Sequence, residues 1–274
     1  MTSLDDFFPR KPDLPQQSPL FWVTHKDRYL RQLLINDIER QTERDLIVYF
    51  TDTDNSNAQI DPGDDQFVVE LLKDRKGRGV DLMLETPGGF TDPTEKICAL
   101  LRQLAPDLRV IVPRRAKSNG TVIALTGSSI VMSASSELGP IDPAVMNGIP
   151  AEYILKDAGS YEPAVFRIAE SASAQTKKLA KSLLTTGMMS SKPEAEVDAV
   201  VEKLATRNCY ASHGSVIDVK EAQALGLSVE ELNPDEDLWQ RIWLLRTMYA
   251  YDCSRNGYAK LFEAARISSA VATK

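Results

Sequence analysis

Short apolar runs alternate with amphipathic stretches through the first half of the chain. The apolar runs are typical of buried strands and cover residues 45–50 (DLIVYF), 80–85 (VDLMLE), 108–112 (LRVIV) and 129–132 (SIVM). The stretches with helical spacing cover residues 27–44, 66–76, 93–104 and 121–127. Strands that are apolar on both faces occur in sheets covered by helices on both sides. This alternation predicts a layered α/β domain of βαβ units over residues 28–133.

The second half of the chain has a mostly helical pattern. We predict helices over residues 164–184, 192–206, 220–225 and about 235–266. The last one is apolar on more than one face, with Trp239, Ile242 and Trp243 among its residues, so we expect it to be buried within the subunit or between subunits. Four prolines among polar residues indicate a flexible arm over residues 1–20. The chain thus divides into this arm, a domain over residues 21–234, and a C-terminal helix over residues 235–274 that is a candidate oligomer contact.

Composition excludes several classes of function. The chain has 274 residues, with 32 Lys and Arg against 39 Asp and Glu and a formal net charge of −7. Nucleic-acid binders concentrate cations, so we expect no nucleic-acid partner. Three cysteines and two histidines are too few for paired ligand spacing, which predicts neither a disulfide framework nor a metal site. The sequence contains no apolar run long enough to span a membrane and no secretory signal pattern, so we expect a cytoplasmic protein without a bound cofactor.

Three polar segments follow the predicted strands. Residues 86–89 (TPGG) contain two glycines, which let a backbone turn sharply and point N–H groups outward to hold an oxyanion. In residues 113–121 (PRRAKSNGT), Ser118 falls at the first turn of a helix, where unpaired N–H groups favour a developing negative charge. Residues 136–143 (SELGPIDP) place Asp142 between prolines. Taken singly, these segments are equally compatible with a turn, a helix cap and a second turn.

Taken in order, TPGG, AKSNGT and SELGPIDP closely resemble the serine dehydrogenase proteinase family, which belongs with Clp proteases, signal peptide peptidase A and crotonases. The resemblance covers residues 46–143 and resumes at residues 212–217 (SHGSVI) and 221–227. It implies a Clp/crotonase fold of stacked βαβ units, assembly into a homo-oligomer, and hydrolysis of a peptide or protein substrate. It further implies that Ser118 is the nucleophile and that Gly89 and Asn119 supply the oxyanion-hole N–H groups, with Gly88 shaping the turn.

The resemblance leaves the general base open. The segment that carries a histidine in Clp proteases here reads Pro-Ile-Asp-Pro, with Asp142 and no histidine. An element similar to that of signal peptide peptidase A implies Lys156, which would need burial or nearby cations to act as a base. His213 is the second candidate, with Asp142 as its orienting carboxylate or as a turn residue. Lys177 and Lys178 remain as rival bases, whereas Lys117, adjacent to Ser118, is instead a candidate for stabilising an anion.

Two further functions stay open. A crotonase-like acyl-CoA enzyme would use the same N–H pair without a serine nucleophile, and Ser118 argues against it. A scaffold that keeps the fold but has lost catalysis is the other alternative. The acidic loop over residues 51–65 is compatible with a cation site, although spaced carboxylates in a loop are more often solvated.

Overall fold

A seven-stranded sheet forms the centre of the fold, as described by a computed structural model over residues 18–55, 58–73, 75–146 and 148–273. Its strands are β1 (Asp45–Thr51), β2 (Val80–Glu85), β3 (Leu108–Ile111), β5 (Ser129–Met132), β9 (Val229–Glu231), β10 (Tyr258–Glu263) and β11 (Ser268–Ala272). They lie in the order β11-β10-β1-β2-β3-β5-β9. The neighbouring pairs β1–β2, β2–β3, β3–β5 and β5–β9 are parallel, whereas β10 runs antiparallel to both β1 and β11.

Two short pairs of strands lie outside this sheet. β4 (Arg115–Ala116) pairs in parallel with β6 (Glu137–Leu138), and β7 (Ala144–Val145) forms an antiparallel pair with β8 (Ile149–Pro150). β4 also hydrogen-bonds to the segment that follows β2, because Thr86 N–H donates to the Arg115 carbonyl (3.0 Å). The β4–β6 pair therefore lies beyond the carboxyl ends of the main strands.

Helices cover both faces of the sheet. In chain order they are α1 (Pro19–Thr24), α2 (Lys26–Thr42), α3 (Asp64–Lys73), α4 (Thr91–Leu104), α5 (Asn119–Ala124), α6 (Ala151–Lys156), α7 (Pro163–Thr186), α8 (Glu194–Ala205), α9 (Val219–Ala224) and α10 (Asp237–Asn256). A 3-10 turn, Ala158–Ser160, separates α6 from α7.

Alternate residues of each strand enter two different cores. Ile47 and Tyr49 of β1 pack in the larger core with residues of α3, α4, α5, α7 and α8. Leu46, Val48 and Phe50 pack on the opposite face with α2 and α10. All seven residues of β1 and all six of β2 are buried. This burial explains why the strands read as unbroken apolar runs in the sequence.

The predicted α/β layering is confirmed, and the main differences lie near the C-terminus. The helix predicted over about residues 235–266 ends at Asn256, because Gly257 adopts a left-handed conformation (φ 66°) that terminates helices. β10 and β11 follow, and the apolar pattern of residues 258–263 belongs to a strand rather than to the helix. The arm predicted for residues 1–20 lies outside the described residues except at residues 18–20, where α1 begins. Among the helices described, none combines the length and apolar character needed to cross a bilayer.

Candidate active site

Ser118 lies at the junction between β4 and α5, directly before the first residue of the helix. Its backbone is left-handed (φ 53°, ψ −123°), a conformation that costs energy for any residue with a Cβ. No capping hydrogen bond from the Ser118 side chain accompanies it. In α/β-hydrolases, a strained serine on a sharp strand-to-helix turn is the arrangement that presents the nucleophilic hydroxyl.

The Gly88–Gly89 turn packs against this serine. Gly88 has φ 100°, and a Cβ added to it would lie 2.7 Å from the Ser118 Cβ, so the position requires glycine. Gly89 is equally restricted, since its added Cβ would lie 2.3 Å from the Ile60 backbone nitrogen. Ile60 fixes the turn from the other side: its N–H donates to the Gly88 carbonyl (2.7 Å), and its carbonyl accepts from Phe90 N–H (3.0 Å).

The amide of Asn119 links the turn to α5. Its Nδ2 donates to the Gly89 carbonyl (2.6 Å) and lies 3.2 Å from the Thr91 hydroxyl. Gly89 pairs with Ile60 through the backbone groups of its neighbours Gly88 and Phe90, and its own carbonyl points to Asn119. Asn119 is the first residue of α5, and its backbone N–H therefore lacks an acceptor within the helix. The structure thus brings Gly88, Gly89, Ser118 and Asn119 together.

His213 and Asp142 form a second close contact. The His213 Nδ1 lies 2.7 Å from Asp142 Oδ1, and Arg207 Nε donates to the other carboxylate oxygen (2.9 Å). The Asp142 side chain is 3% exposed, whereas that of His213 is 40% exposed. A buried carboxylate held by an arginine is a fixed acceptor for an imidazole N–H.

Lys117 ties the His213 segment to the Ser118 segment. Its ammonium donates to the Leu138 carbonyl (3.1 Å) and to the Ser215 carbonyl (3.0 Å), and lies 3.4 Å from Glu137. Burial lowers the pKa of Lys117, and Glu137 partly offsets that effect. Leu138 also exchanges two backbone hydrogen bonds with Ile217 (2.9 and 3.1 Å). The three polar segments identified in the sequence therefore converge with residues 212–217.

Residues 60–252 match the profile of the ClpP-like SDH-type serine proteinases. The chain belongs to this family. The match includes β2, β3, β5 and β9 of the main sheet and the segments around Ser118, Asp142 and His213, whereas β1, β10 and β11 lie outside it. The predicted family membership and the ClpP-like fold class are thereby confirmed.

Other proteins are similar to this member of the family. The uncharacterized protein MJ0137 of Methanocaldococcus jannaschii is 30% identical over 190 residues, which is 66% of this chain and 62% of that protein. The uncharacterized protein MJ1495 of the same organism is 36% identical over 77 residues, or 28% of this chain and 26% of that one. The chain thus spans less than two thirds of the length of either. An alanine mutant of the 1510-N membrane-bound stomatin-specific protease has a similar structure, with TM-score 0.45 and 19% identity over 67% of this chain and 79% of that chain.

The lysines considered from the sequence lie in different surroundings. Lys156 ends α6 with its side chain 61% exposed and its ammonium 2.5 Å from Glu152, in an i,i+4 ion pair. It also donates to the Asn208 amide oxygen (3.3 Å). Lys177 pairs with Glu202 (2.6 Å) between α7 and α8, and Lys178 lines a surface groove of about 400 Å³ between α4 and α7.

Carboxylates of the acidic loop have protein cations as partners. Lys260, 3% exposed, donates to Asp64 (2.8 Å) and Asp61 (3.2 Å), and Tyr49 donates its hydroxyl to Asp64 (2.5 Å). Within the described ranges, the structure contains no cluster of three or more His, Cys, Asp or Glu side chains positioned to hold a metal ion.

Sequence reasoning missed the pair formed by Glu85 and Arg246. Glu85 ends β2 immediately before the TPGG turn, and its fully buried carboxylate accepts from Arg246 Nε (2.8 Å) and Nη2 (2.6 Å). Burial raises the pKa of Glu85, against the opposing effect of Arg246. A carboxylate at the end of an otherwise apolar strand was the one signal for this pair, but its partner lies 161 residues later.

Proposed function

We propose that this protein is a serine endopeptidase in which Ser118 is the nucleophile. The observation that carries the proposal is the contact between the strained Ser118 and the Gly88–Gly89 turn. The Ser118 hydroxyl would attack the carbonyl carbon of a peptide bond and form an acyl-enzyme with release of the amine. Water would then hydrolyse the ester and restore the serine.

The backbone N–H groups of Gly89 and Asn119 would bind the oxyanion that forms during both steps. Support comes from the orientation of Gly89, whose carbonyl accepts from the Asn119 side chain while Ile60 holds the turn from behind. Two fixed donors at such a site are each typically worth about 10²–10³ in rate, because they need no reorganisation as charge develops. Gly88 permits the close approach of the turn to the serine.

We propose His213 as the general base and Asp142 as the residue that orients it. With Asp142 bound at Nδ1, Nε2 is the nitrogen that would accept the serine proton and later give it to the leaving amine. Lys117 supports this assignment by holding residue Ser215 beside the strand that leads into Ser118. Lys156 is the alternative base, but its exposed ammonium paired with Glu152 lacks the burial and positive surroundings that a basic lysine needs.

The direct test is labelling with a fluorophosphonate, which reacts with activated serines. Wild-type protein should be labelled at Ser118, and Ser118→Ala should not be labelled while keeping its thermal unfolding temperature. Ser128→Ala, at an exposed serine directly before β5 whose hydroxyl donates to the Leu108 carbonyl, is the matched control and should label as wild type. A folded wild-type protein that is not labelled would overturn the peptidase proposal and support the scaffold.

The resemblance also implies a homo-oligomer and a peptide or protein substrate, and the sequence pattern predicts a cytoplasmic location; these three stay predictions. Light scattering coupled to size-exclusion chromatography measures the oligomeric state. Digestion of an unfolded protein such as casein, followed by mass spectrometry of the products, shows whether a protein is a substrate.

A further inference from the structure

Two adjacent arginines lie at the edge of the candidate active site. Arg114 follows β3, and Arg115 begins β4, three residues before Ser118. Their backbones are fixed from both sides, because the Arg114 carbonyl accepts from Glu137 N–H (2.7 Å) and the Arg115 carbonyl accepts from Thr86 N–H (3.0 Å). Both side chains are part-buried, with 31% and 28% exposed. They are therefore held on a rigid support.

Among the described residues, the two guanidinium groups form only long ion pairs. The Asp54 carboxylate lies 3.7 Å from Arg114 and 3.8 Å from Arg115, and Arg115 Nε lies 3.7 Å from Glu137. Charge-assisted hydrogen bonds are normally 2.7–2.9 Å long. The buried Arg115 Nε has no hydrogen-bond partner among the described residues. By contrast, Arg246 grips Glu85 with two hydrogen bonds of 2.8 and 2.6 Å.

The position of the arginines suits a substrate contact. Asp54 follows β1, the TPGG turn follows β2, and Arg114 follows β3, and these neighbouring strands are parallel. Their carboxyl ends therefore share one edge of the sheet, where ligands of α/β proteins bind. In an extended strand, the three residues from Arg115 to Ser118 span about 10 Å. An extended peptide covers the same distance in about three residues.

We propose that Arg114 and Arg115 form an anion subsite that binds a carboxylate of the peptide substrate, within about three residues of the cleaved bond. This inference rests on the proposed peptidase function and assigns it a substrate class, acidic peptides. Asp54 occupies the subsite in the unliganded protein. Its side chain is 72% exposed, and its ion pairs with described residues are the two long ones to Arg114 and Arg115, so an incoming carboxylate displaces it at little cost. The planar forks of two arginines suit a carboxylate better than a neutral amide.

The test measures peptide binding to Ser118→Ala protein, so that it does not depend on catalysis. The probes are acetylated, fluorescently labelled peptides that differ only by Glu or Gln at one internal position, each prepared with an amidated and with a free C-terminus. Fluorescence anisotropy gives the ratio of their dissociation constants. The expected preference for the Glu peptide is about tenfold or more, the usual size of one charged hydrogen-bond contact.

Variants at the subsite separate its parts. Arg114→Gln and Arg115→Gln should each reduce the preference toward one, with little change for the Gln peptide. Asp54→Asn should strengthen binding of the Glu peptide. Arg40→Gln is the control, since this exposed arginine lies at the end of α2 and so at the opposite edge of the sheet. A preference that follows the free C-terminus instead of the internal Glu would assign the subsite to the terminal carboxylate.

The outcomes for the two proposals are distinguishable. An unchanged Glu-to-Gln ratio in the Arg114→Gln/Arg115→Gln double variant overturns the anion subsite, whatever the enzyme activity. A preference that the arginine variants abolish, in a protein whose wild type neither cleaves peptides nor reacts with a fluorophosphonate, supports the subsite and overturns the peptidase.

Discussion

Gly88 and Ser118 approach each other so closely that a methyl group on Gly88 would overlap the serine side chain, at 2.7 Å between the two Cβ atoms. We therefore predict that Gly88→Ala abolishes most fluorophosphonate labelling and lowers the free energy of unfolding by about 1–3 kcal/mol. Gly148→Ala is the matched control, because Gly148 has a similar φ (92°) and its added Cβ would lie more than 4 Å from the described residues other than its chain neighbours. Both variants place a residue with a Cβ in a left-handed backbone conformation, which lowers the free energy of unfolding. Only the additional loss of stability in Gly88→Ala therefore measures the steric overlap with Ser118. Equal losses in urea unfolding would contradict the packing described.

The contact between His213 and Asp142 predicts a large catalytic effect from a small change. Asp142→Asn keeps the size of the side chain but removes the charge that orients the imidazole and stabilises its protonated form, so kcat should fall by about 10³–10⁴. His213→Asn should have a similar effect. Lys156→Gln should leave kcat within about twofold of wild type, since a surface ion pair contributes little. Peptide cleavage rates for the three variants check this, and a reversed ranking would transfer the role of base to Lys156.

Lys117 provides a separate test of how the segments are held. Lys117→Met keeps the aliphatic stem but removes the donor to the Leu138 and Ser215 carbonyls. The part-buried Ser215 carbonyl then loses this donor, whereas the Leu138 carbonyl keeps the Ile217 N–H, so the unfolding free energy should fall by about 1 kcal/mol. Because the segment that contains His213 loses its hydrogen bond to Lys117, the fall in kcat should be larger than the change in KM. Lys192→Met, at an exposed ion pair with Glu196, should alter neither quantity.

Arg246 balances the buried charge of Glu85, so the destabilisation caused by replacing Arg246 should depend on pH. Arg246→Met leaves the Glu85 carboxylate without its partner, with a destabilisation of about 3–5 kcal/mol near neutral pH. Burial already raises the pKa of Glu85, and without Arg246 it rises further. The folded state then binds more protons than the unfolded state, so the loss of stability should grow from pH 5 to pH 8.

Urea unfolding at the two pH values measures this dependence. The Glu85→Gln/Arg246→Met double variant should recover much of the stability and show a flatter dependence, because it contains no buried carboxylate at this position. A single variant that is equally destabilised at both pH values would show that Arg246 acts through packing on Phe50 and Trp243 and not through charge.

Local sequence patterns predicted the elements that depend on burial alone. The strands over residues 80–85 and 129–132 have the predicted ends, because an apolar run flanked by glycine or polar residues has few alternatives in a layered fold. The single helix predicted over about residues 235–266 took in residues 258–263, which form β10 instead. Gly257 was the signal for the helix end, and a single glycine is weak without the backbone angle that the structure supplies.

The candidate site was predictable where it is local and not where it is assembled by the fold. Ser118 and Gly89 are recognisable from short motifs, and their strand-end positions follow from the alternation of elements. The contact of Asp142 with His213 joins residues 71 positions apart, and that of Arg207 with Asp142 joins residues 65 apart. Helical and strand periodicities relate only residues a few positions apart, so they give no sign of contacts between residues this far apart in sequence. The proposal of His213 over Lys156 as the base therefore rests on the three-dimensional surroundings of each side chain.

The antiparallel pairing of β1 with β10 has a consequence for folding kinetics. Val48 faces Glu263 across this pair, so one edge of β1 is completed by a strand more than two hundred residues further along the chain. Contacts between residues so far apart in sequence form slowly, because the chain loses loop-closure entropy before the contacts stabilise it. Until then, β1 exposes an apolar strand edge that can pair with other chains. Docking of the β10–β11 hairpin is thus the step that ends the period in which this protein is most prone to aggregate.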